Sequence, residues 1–534
     1  MMQELHDAFS ARNTKKNKIE LIKELKSPMS VYDGLKELCQ TPYEDVAPED
    51  KNFFLKCFGL FDKGEGEFMI RMRIPGGQLT QAQAKVVGTI SKEFGNDYID
   101  ITTRQQIELR FIKFANLHHV ITELDNVGIT TFQTGVDNFR NIVTSPLDGV
   151  ATDTLIETMP LIEELQSIFL RKEEWNAVLP RKFNTAILGR ETNDCNIFGH
   201  DCCFVPAKKG DTLGFNLYLG GKVGVQAEDS GLFVKPQEVK EVFFSVINLF
   251  KEFGFRDNRN KNRLHFLIEA VGMEAFSKTI QQTTRAKLQS SGELMLKYEQ
   301  TLGSDGTTAL KDERVALHYT IPSGVFSGSD LLAVAKTLED KQASIRLSVE
   351  QSFYVLCSSQ DIVPLKESDI YKKYAKFNNP YFVNQIACAG TATCSFGVIP
   401  NKPDAIEMAE YLAQEVPLQD AKVRMYWSAC VKGCGLHGVA DIGFEGCKAK
   451  DDEGKSCYGV HILLGGKASH SAKEARVIYK SVPLHLAKYT VKKIMLMYKS
   501  ERLEKESFES FDSRVLAPLN NEALIEKIES YVSA

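Results

Sequence analysis

Nowhere in these 534 residues does an apolar run approach the ~20 residues of a membrane span, so no membrane association is expected. A basic excess is missing too: 65 Lys and Arg stand against 70 Asp and Glu, net charge −5, which argues against a dedicated nucleic-acid binder. The opening Met1-Met-Gln-Glu-Leu-His-Asp has neither a basic n-region nor an apolar h-region. No secretory signal is read there, and a cytoplasmic location with reduced thiols is the expectation. No Walker A sequence, HExxH or GxSxG occurs. One literal GxGxxG, Gly433 to Gly438, overlaps a cysteine pair and is rejected as a dinucleotide site, so no flavin or nicotinamide site is read. What remains is an ordinary globular composition, 43% hydrophobic and 25% charged. The chain is long enough for several domains, since one core rarely grows beyond roughly 250–300 residues.

Four of the 12 cysteines are patterned. Cys388-Ala-Gly-Thr-Ala-Thr-Cys394 and Cys430-Val-Lys-Gly-Cys434 form C-x5-C and C-x3-C pairs with 35 residues between them. Four soft ligands in two pairs suit an iron–sulfur cube, whose usual ligands are thiolates. Zinc competes, but zinc ribbons and knuckles favour C-x2-4-C in both arms. Disulfides and plain buried cysteines are the other readings. Cys39, Cys57, Cys195, Cys202, Cys203, Cys357, Cys447 and Cys457 share no spacing and read as structural. His437, three residues beyond Cys434, is a conceivable proton donor, although a lone histidine is more often structural or exposed.

The chain also repeats itself at about half its length. Arg71-Met-Arg-Ile-Pro75-Gly-Gly answers to His318-Tyr-Thr-Ile-Pro322-Ser-Gly at an offset of 247. Ile99-Asp-Ile-Thr-Thr-Arg104-Gln105 answers to Ile345-Arg-Leu-Ser-Val-Glu350-Gln351 at 246, and Gly214 to Lys222 answers to Gly459 to Lys467 at 245. Within a unit, Phe68 to Ile74 alternates like a strand, Thr80 to Phe94 has helical periodicity, and Tyr98 to Phe111 is strand-like again. The fold class is therefore α+β and internally duplicated: two small α/β modules, each followed by a larger α/β unit, around a pseudo-twofold axis. The polar stretch Gln300–Lys311 reads as the link between halves, and the active site is expected at their interface.

Positive charge concentrates in the first half. Arg71, Arg140, Lys182 and Asn184 carry functional weight, beside Arg73, Arg104, Arg181, Arg259, Lys261 and Arg263. Most Lys and Arg are solvated, but Arg71 and Arg73 sit on one face of an apolar strand, where burial calls for an anionic partner. Converging cations suit a polyanionic cofactor, a small oxyanion, or both.

Together these features resemble the sirohaem- and [4Fe–4S]-containing nitrite and sulfite reductases, closest to the ferredoxin-dependent assimilatory nitrite reductases. The likeness runs from about Phe53 to about Lys493 through the two cysteine pairs, Arg-x-Arg-Ile-Pro-Gly-Gly, Thr102-Thr-Arg-Gln105, Asp137-Asn-Phe-Arg-Asn, Leu-Pro-Arg-Lys-Phe-Asn, Gly-Phe-Asn-Leu-Tyr-Leu-Gly-Gly and Ala440-Asp-Ile-Gly-Phe-Glu-Gly-Cys447. The resemblance implies that Cys388, Cys394, Cys430 and Cys434 hold the cluster, with Cys434 also bridging to the sirohaem iron. It implies that Arg71, Arg140, Lys182 and Asn184 face the anion. Arg73, Thr102, Arg104, Gln105 and Arg181 would hold the macrocycle, with Arg259, Lys261 and Arg263 in a cofactor-contacting stretch. Domains follow as a helical extension (1–52), a ferredoxin-like half-domain (53–130), a sirohaem and substrate domain (131–300), a second half-domain (308–375), a cluster and sirohaem domain (380–500) and a helical tail (501–534).

The implied activity is six-electron reduction of nitrite to ammonia with ferredoxin as donor. Sulfite reduction is the alternative, and an electron-transfer subunit inactive without a partner a further one. Asn184 favours nitrite, because the sulfite-reducing branch commonly carries a second lysine there and sulfite bears more charge. Three segments depart from the family pattern: Cys430-Val-Lys-Gly-Cys434-Gly, Trp427-Ser-Ala, and Gly465-Gly-Lys-Ala-Ser. None removes a cluster ligand. Lys432, and the run Lys488, Lys492 and Lys493, are candidates for docking an acidic donor.

Overall fold

A computed structural model of the chain describes residues 2–297, 306–469 and 472–531. The expected link Gln300–Lys311 lies outside the described residues as far as 305. The described strands form four sheets, three of five strands and one of seven: one in each small module and one in each larger unit. Each small sheet follows the alternation of its strands: in Glu67–Arg71, Phe68 and Ile70 are buried in the core. The helix Gln81–Phe94 that crosses it starts at a capping box between Thr80 and Gln83 and buries Ala84, Val87 and Ile90.

The two small sheets complete each other. Strand Gln78–Leu79 leaves its own half and pairs with Ser344–Leu347, while Val325–Phe326 returns the exchange by pairing with Ile99–Ile101. Helices Gln81–Phe94 and Gly328–Thr337 then pack so closely that a Cβ at Gly88 would lie 2.8 Å from the Gly328 carbonyl oxygen. The strand expected across Tyr98 to Phe111 is divided into Ile99–Ile101 and Ile107–Lys113. Between them Gln105 takes a left-handed conformation (φ 54°) and turns its side chain toward the other half.

The large sheets repeat one plan. Phe139–Val143, Phe183–Ile187 and Cys202–Lys209 run parallel, followed by antiparallel Thr212–Leu219 and Glu228–Val234. In the second half Gln385–Ala387, Met425–Ser428 and Ile442–Lys450 run parallel, followed by antiparallel Ser456–Leu464 and Arg476–Pro483. The fold is thus α+β with a duplicated architecture. The charged N-terminal segment is helical at Met2–Arg12, Lys18–Lys23, Pro28–Asp33 and Leu35–Leu38 and is anchored by buried Leu5, Val31 and Leu35. Among the described residues no helix is long and apolar enough to cross a membrane.

Candidate functional site

The cysteine loops leave the ends of two neighbouring parallel strands. Ala387 pairs with Trp427 in register, so Cys388 and the Ala429–Cys430 corner emerge side by side. The Ala429 N–H donates to Cys388 Sγ at 3.2 Å, and Asn401 Nδ2 approaches the same sulfur at 3.4 Å. Burial pushes the Cys388 thiol up to about 11, and the backbone groups of Ala429 and Gly390 act against it by favouring the thiolate a metal needs. Cys388, Cys394, Cys430 and Cys434 all line one cavity of ≈ 260 Å³, together with Arg71, Thr102 and Arg104. Among the described residues no three Cys, His, Asp or Glu side chains gather closely enough to hold a single metal ion. Four thiols spread around one cavity fit a larger inorganic group, whose sulfur-rich core separates its ligands.

A second cavity of ≈ 290 Å³ is lined by Lys182, Asn184 and Arg263 from the first half and by Gly433 and His437 from the second. Arg104 lines both cavities. Asp201 organises the first-half wall: its carboxylate accepts from the Asn184 amide at 2.7 Å and from Arg263 Nε and Nη2 at 2.8 and 2.7 Å. Burial, then Arg104 and Arg263, push the Lys182 ammonium well below its usual range. Burial and Arg71 bring Arg104 down to about 10. These are cations crowded against one another, and an anion carrying several charges between them removes that cost. The Asn184 Oδ1 is buried without a hydrogen-bond partner. The donor set fits a carboxylate-rich macrocycle beside a small anion.

Arg140 stands behind this wall, its guanidinium held by the carbonyls of Gly135, Val136 and Asn138, and burial pushes it well below its usual range. Thr102 lines the first cavity, with its hydroxyl oxygen accepting from the Arg104 and Gln106 amides.

Several expected cofactor contacts lie off both cavities. Arg73 does not share a surface with Arg71: it is 2% exposed, lines neither cavity, and donates to the carbonyls of Phe132, Gln133, Phe139 and Arg140. Its partner is peptide oxygen, not a bound anion. Gln105 is fully buried, with Nε2 on the Leu347 carbonyl and Oε1 on the Thr144 amide, so its amide is spent inside the protein. Arg259 pairs with buried Asp137, beside Arg181, and both lie off the two cavities; Lys261 is exposed.

His437, for which a structural or exposed position was expected, is 7% exposed and places Nε2 3.0 Å from Glu445 Oε2. A charged run that sequence reasoning missed, Asp100, Glu108, Arg110 and Lys402, also lines the first cavity. Its only sequence signal is Glu108 and Arg110 alternating with Leu109 on an apolar strand. Of the docking candidates, Lys488, Lys492 and Lys493 are held by Glu407, Glu415 and Glu529, while exposed Lys432 lies over the Phe396 ring.

Comparison with known proteins places the chain in a family. Residues 135–288 and 381–513 match the nitrite and sulphite reductase 4Fe-4S domain, and 61–127 match the nitrite/sulfite reductase ferredoxin-like half domain. The chain is 31% identical to a ferredoxin–nitrite reductase of Synechococcus elongatus over 87% of this chain and 93% of that protein. It is 29% identical to one of Leptolyngbya laminosa over 88% and 94%, and 29% identical to the chloroplastic enzyme of Spinacia oleracea over 88% and 83%. Its fold superposes on the Mycobacterium tuberculosis NirA protein with a TM-score of 0.86 at 24% identity, covering 96% of this chain and 98% of the other. With the 4Fe-4S domain matched across both halves of the duplication, the chain belongs to the nitrite and sulphite reductase family.

Proposed function

We propose that this chain reduces nitrite to ammonia with six electrons delivered by ferredoxin, using a [4Fe–4S] cluster and sirohaem. The observation that carries the reading is the convergence on one cavity of four cysteines from the second half with Arg71, Thr102 and Arg104 from the first. The names of the relatives, ferredoxin–nitrite reductases matched over most of their length, support the same chemistry.

In this reading Cys388, Cys394, Cys430 and Cys434 hold the cluster, and Thr102, Arg104 and Arg263 hold the carboxylates of the macrocycle. When bound, sirohaem supplies an iron centre for the anion and a conjugated path for electrons. Arg71 and Lys182 attract the anion and stabilise charge that grows on its oxygens as N–O bonds break. Arg140 adds positive potential from behind. Lys182 is poised to give up a proton, because burial and then its cationic neighbours Arg104 and Arg263 weaken its hold on one. Asn184 offers a neutral amide where a further cation would favour a more highly charged anion.

Turnover of the purified protein with nitrite and with sulfite, under one small chemical reductant, tests the assignment. A higher kcat/KM for nitrite is expected; a higher value for sulfite overturns it.

A further inference from the structure

Arg71 and Glu108 begin a chain of opposite charges whose members beyond Arg71 the mechanism above does not use. Arg71 Nε donates to Glu108 Oε1 at 2.8 Å, and Arg110 Nη2 donates to Glu108 Oε2 at 2.8 Å. Arg110 Nε donates to Asp100 Oδ2 at 2.7 Å, and Lys402 Nζ donates to Asp100 Oδ1 at 2.8 Å and to the Ser323 carbonyl at 2.7 Å. All five side chains line the cavity that holds the four cysteines. Burial alone would raise both carboxyls, yet Arg71 and Arg110 hold Glu108 below the usual carboxylate range. Lys402 and Arg110 do the same for Asp100.

The duplication shows what the sheet itself requires at these positions. Arg71 and Glu108 lie directly opposite across neighbouring strands. Their counterparts, His318 and Tyr354, are also directly opposite, with ring centroids 4.6 Å apart. The counterparts of Arg110 and Asp100 are Leu356 and Arg346. An aromatic pair and a leucine therefore satisfy the same sheet, so its architecture does not demand the ion pair. A buried ion pair is weak evidence for stability.

We propose that Glu108 is a specificity-determining positioning residue. It fixes the Arg71 guanidinium and cancels one positive charge beside the anion, so that the site favours monoanionic nitrite over more highly charged sulfite. The inference rests on the nitrite reading above. Arg71 is gripped at Nε and Nη2 by Glu108 and at Nη1 by the Thr134 carbonyl, which leaves it one orientation. Arg110, Asp100 and Lys402 anchor Glu108 in turn across the pseudo-twofold interface.

Glu108→Gln keeps the shape and removes the charge. In the holoenzyme, kcat and KM are measured for both anions under one chemical reductant, and anion affinity separately from the optical shift of the oxidised enzyme. The sulfite-to-nitrite ratio of kcat/KM should rise roughly tenfold, about 1.4 kcal/mol. The dissociation constant should fall more for sulfite than for nitrite, while kcat for nitrite drops as Arg71 loses its grip. In an Arg71→Gln background the same substitution should move the ratio much less, because the part of the effect that acts through Arg71 is gone. An unchanged ratio in E108Q, or an equal shift without Arg71, overturns the role of Glu108. If E108Q alone does not take up its cofactors, R71Q against R71Q/E108Q decides: a shift well below tenfold supports the role and a full tenfold shift overturns it. A wild type that prefers sulfite fails the nitrite reading itself, whereas a nitrite-preferring wild type with an unmoved ratio fails only this inference.

Discussion

Gln105 and Gln351 clasp opposite halves of the molecule with mirrored hydrogen bonds. Gln105 Nε2 donates to the Leu347 carbonyl at 2.9 Å, and Gln351 Nε2 donates to the Ile101 carbonyl at 2.9 Å. Both residues have left-handed backbones, φ 54° and 59°. Their amide oxygens accept from Thr144 and Ala387, which begin or follow the chain segments of the two large units. Gln105→Leu leaves the Leu347 carbonyl and the Thr144 amide buried without partners, at roughly 1–3 kcal/mol for each such group. A lowered thermal unfolding midpoint with unchanged substrate preference is the expected outcome. A changed cofactor spectrum at unchanged stability would instead support a cofactor contact for this residue.

The four cavity cysteines should behave as a set distinct from the other eight. Replacing any one by serine should lower iron and acid-labile sulfide in the purified protein, most severely for Cys434→Ser, which in the proposed arrangement also loses the bridge. Cys457→Ser, whose sulfur lines neither cofactor cavity, should retain full iron. Equal iron loss in both classes would contradict the assignment.

Asn184 adds no charge to a wall that already holds Lys182, Arg104 and Arg263. Asn184→Lys should raise sulfite turnover relative to nitrite, by roughly tenfold if it acts as one further cation, about 1.4 kcal/mol. Lys182→Ala should depress both activities. Steady-state kinetics with both anions measure this, and a variant with better nitrite preference would refute the charge argument.

Docking of an acidic donor should depend on local charge, since the chain as a whole is net −5. Lys432→Glu should increase KM for ferredoxin severalfold at low salt while leaving turnover with a small reductant unaffected. Ferredoxin-dependent activity should also weaken as salt rises, because exposed charges are screened beyond ~10 Å at 0.1 M. Salt-insensitive ferredoxin turnover would place the docking face elsewhere.

Burial pushes His200 and His318 down to about 4. Each is neutral in the folded chain and takes up a proton in the unfolded chain below its ordinary value near 6.5. Their contribution is therefore present above pH 6.5 and is lost as pH falls toward 4. The loss reaches at most roughly 3 kcal/mol per histidine. Thermal midpoints measured from pH 4 to 7 should decline less steeply in His318→Phe than in wild type. Parallel slopes would show that His318 titrates normally in the folded chain.

Much of this was legible in the sequence because it is written in short spacings. The cysteine pairs, the repeat of Pro75-Gly-Gly at Pro322-Ser-Gly and the cationic Leu-Pro-Arg-Lys-Phe-Asn segment need only near neighbours to be recognised. Arg73 was expected at a ligand because it shares a strand face with Arg71, and Gln105 because of its place in the Thr102-Thr-Arg-Gln105 motif. Their partners are peptide groups: Phe132 and Phe139 for Arg73, and Leu347 and Thr144 for Gln105. Lys402 was missed because its contact with Asp100 spans 302 residues of chain. Glu445 escaped notice until the Ile442–Lys450 strand brought it beside His437.

The exchange of short strands has a consequence for how the molecule is made. Ile99–Ile101 gains its outer neighbour only when Val325–Phe326 has been synthesised, more than 220 residues later. At 5–20 residues per second the first half waits roughly 10–45 s with an unpaired strand edge. Such an edge is a template for any matching segment, including the same segment of a neighbouring nascent chain. That interval is when crowded translation favours tangled dimers, and when a chaperone shielding one short edge has most to offer.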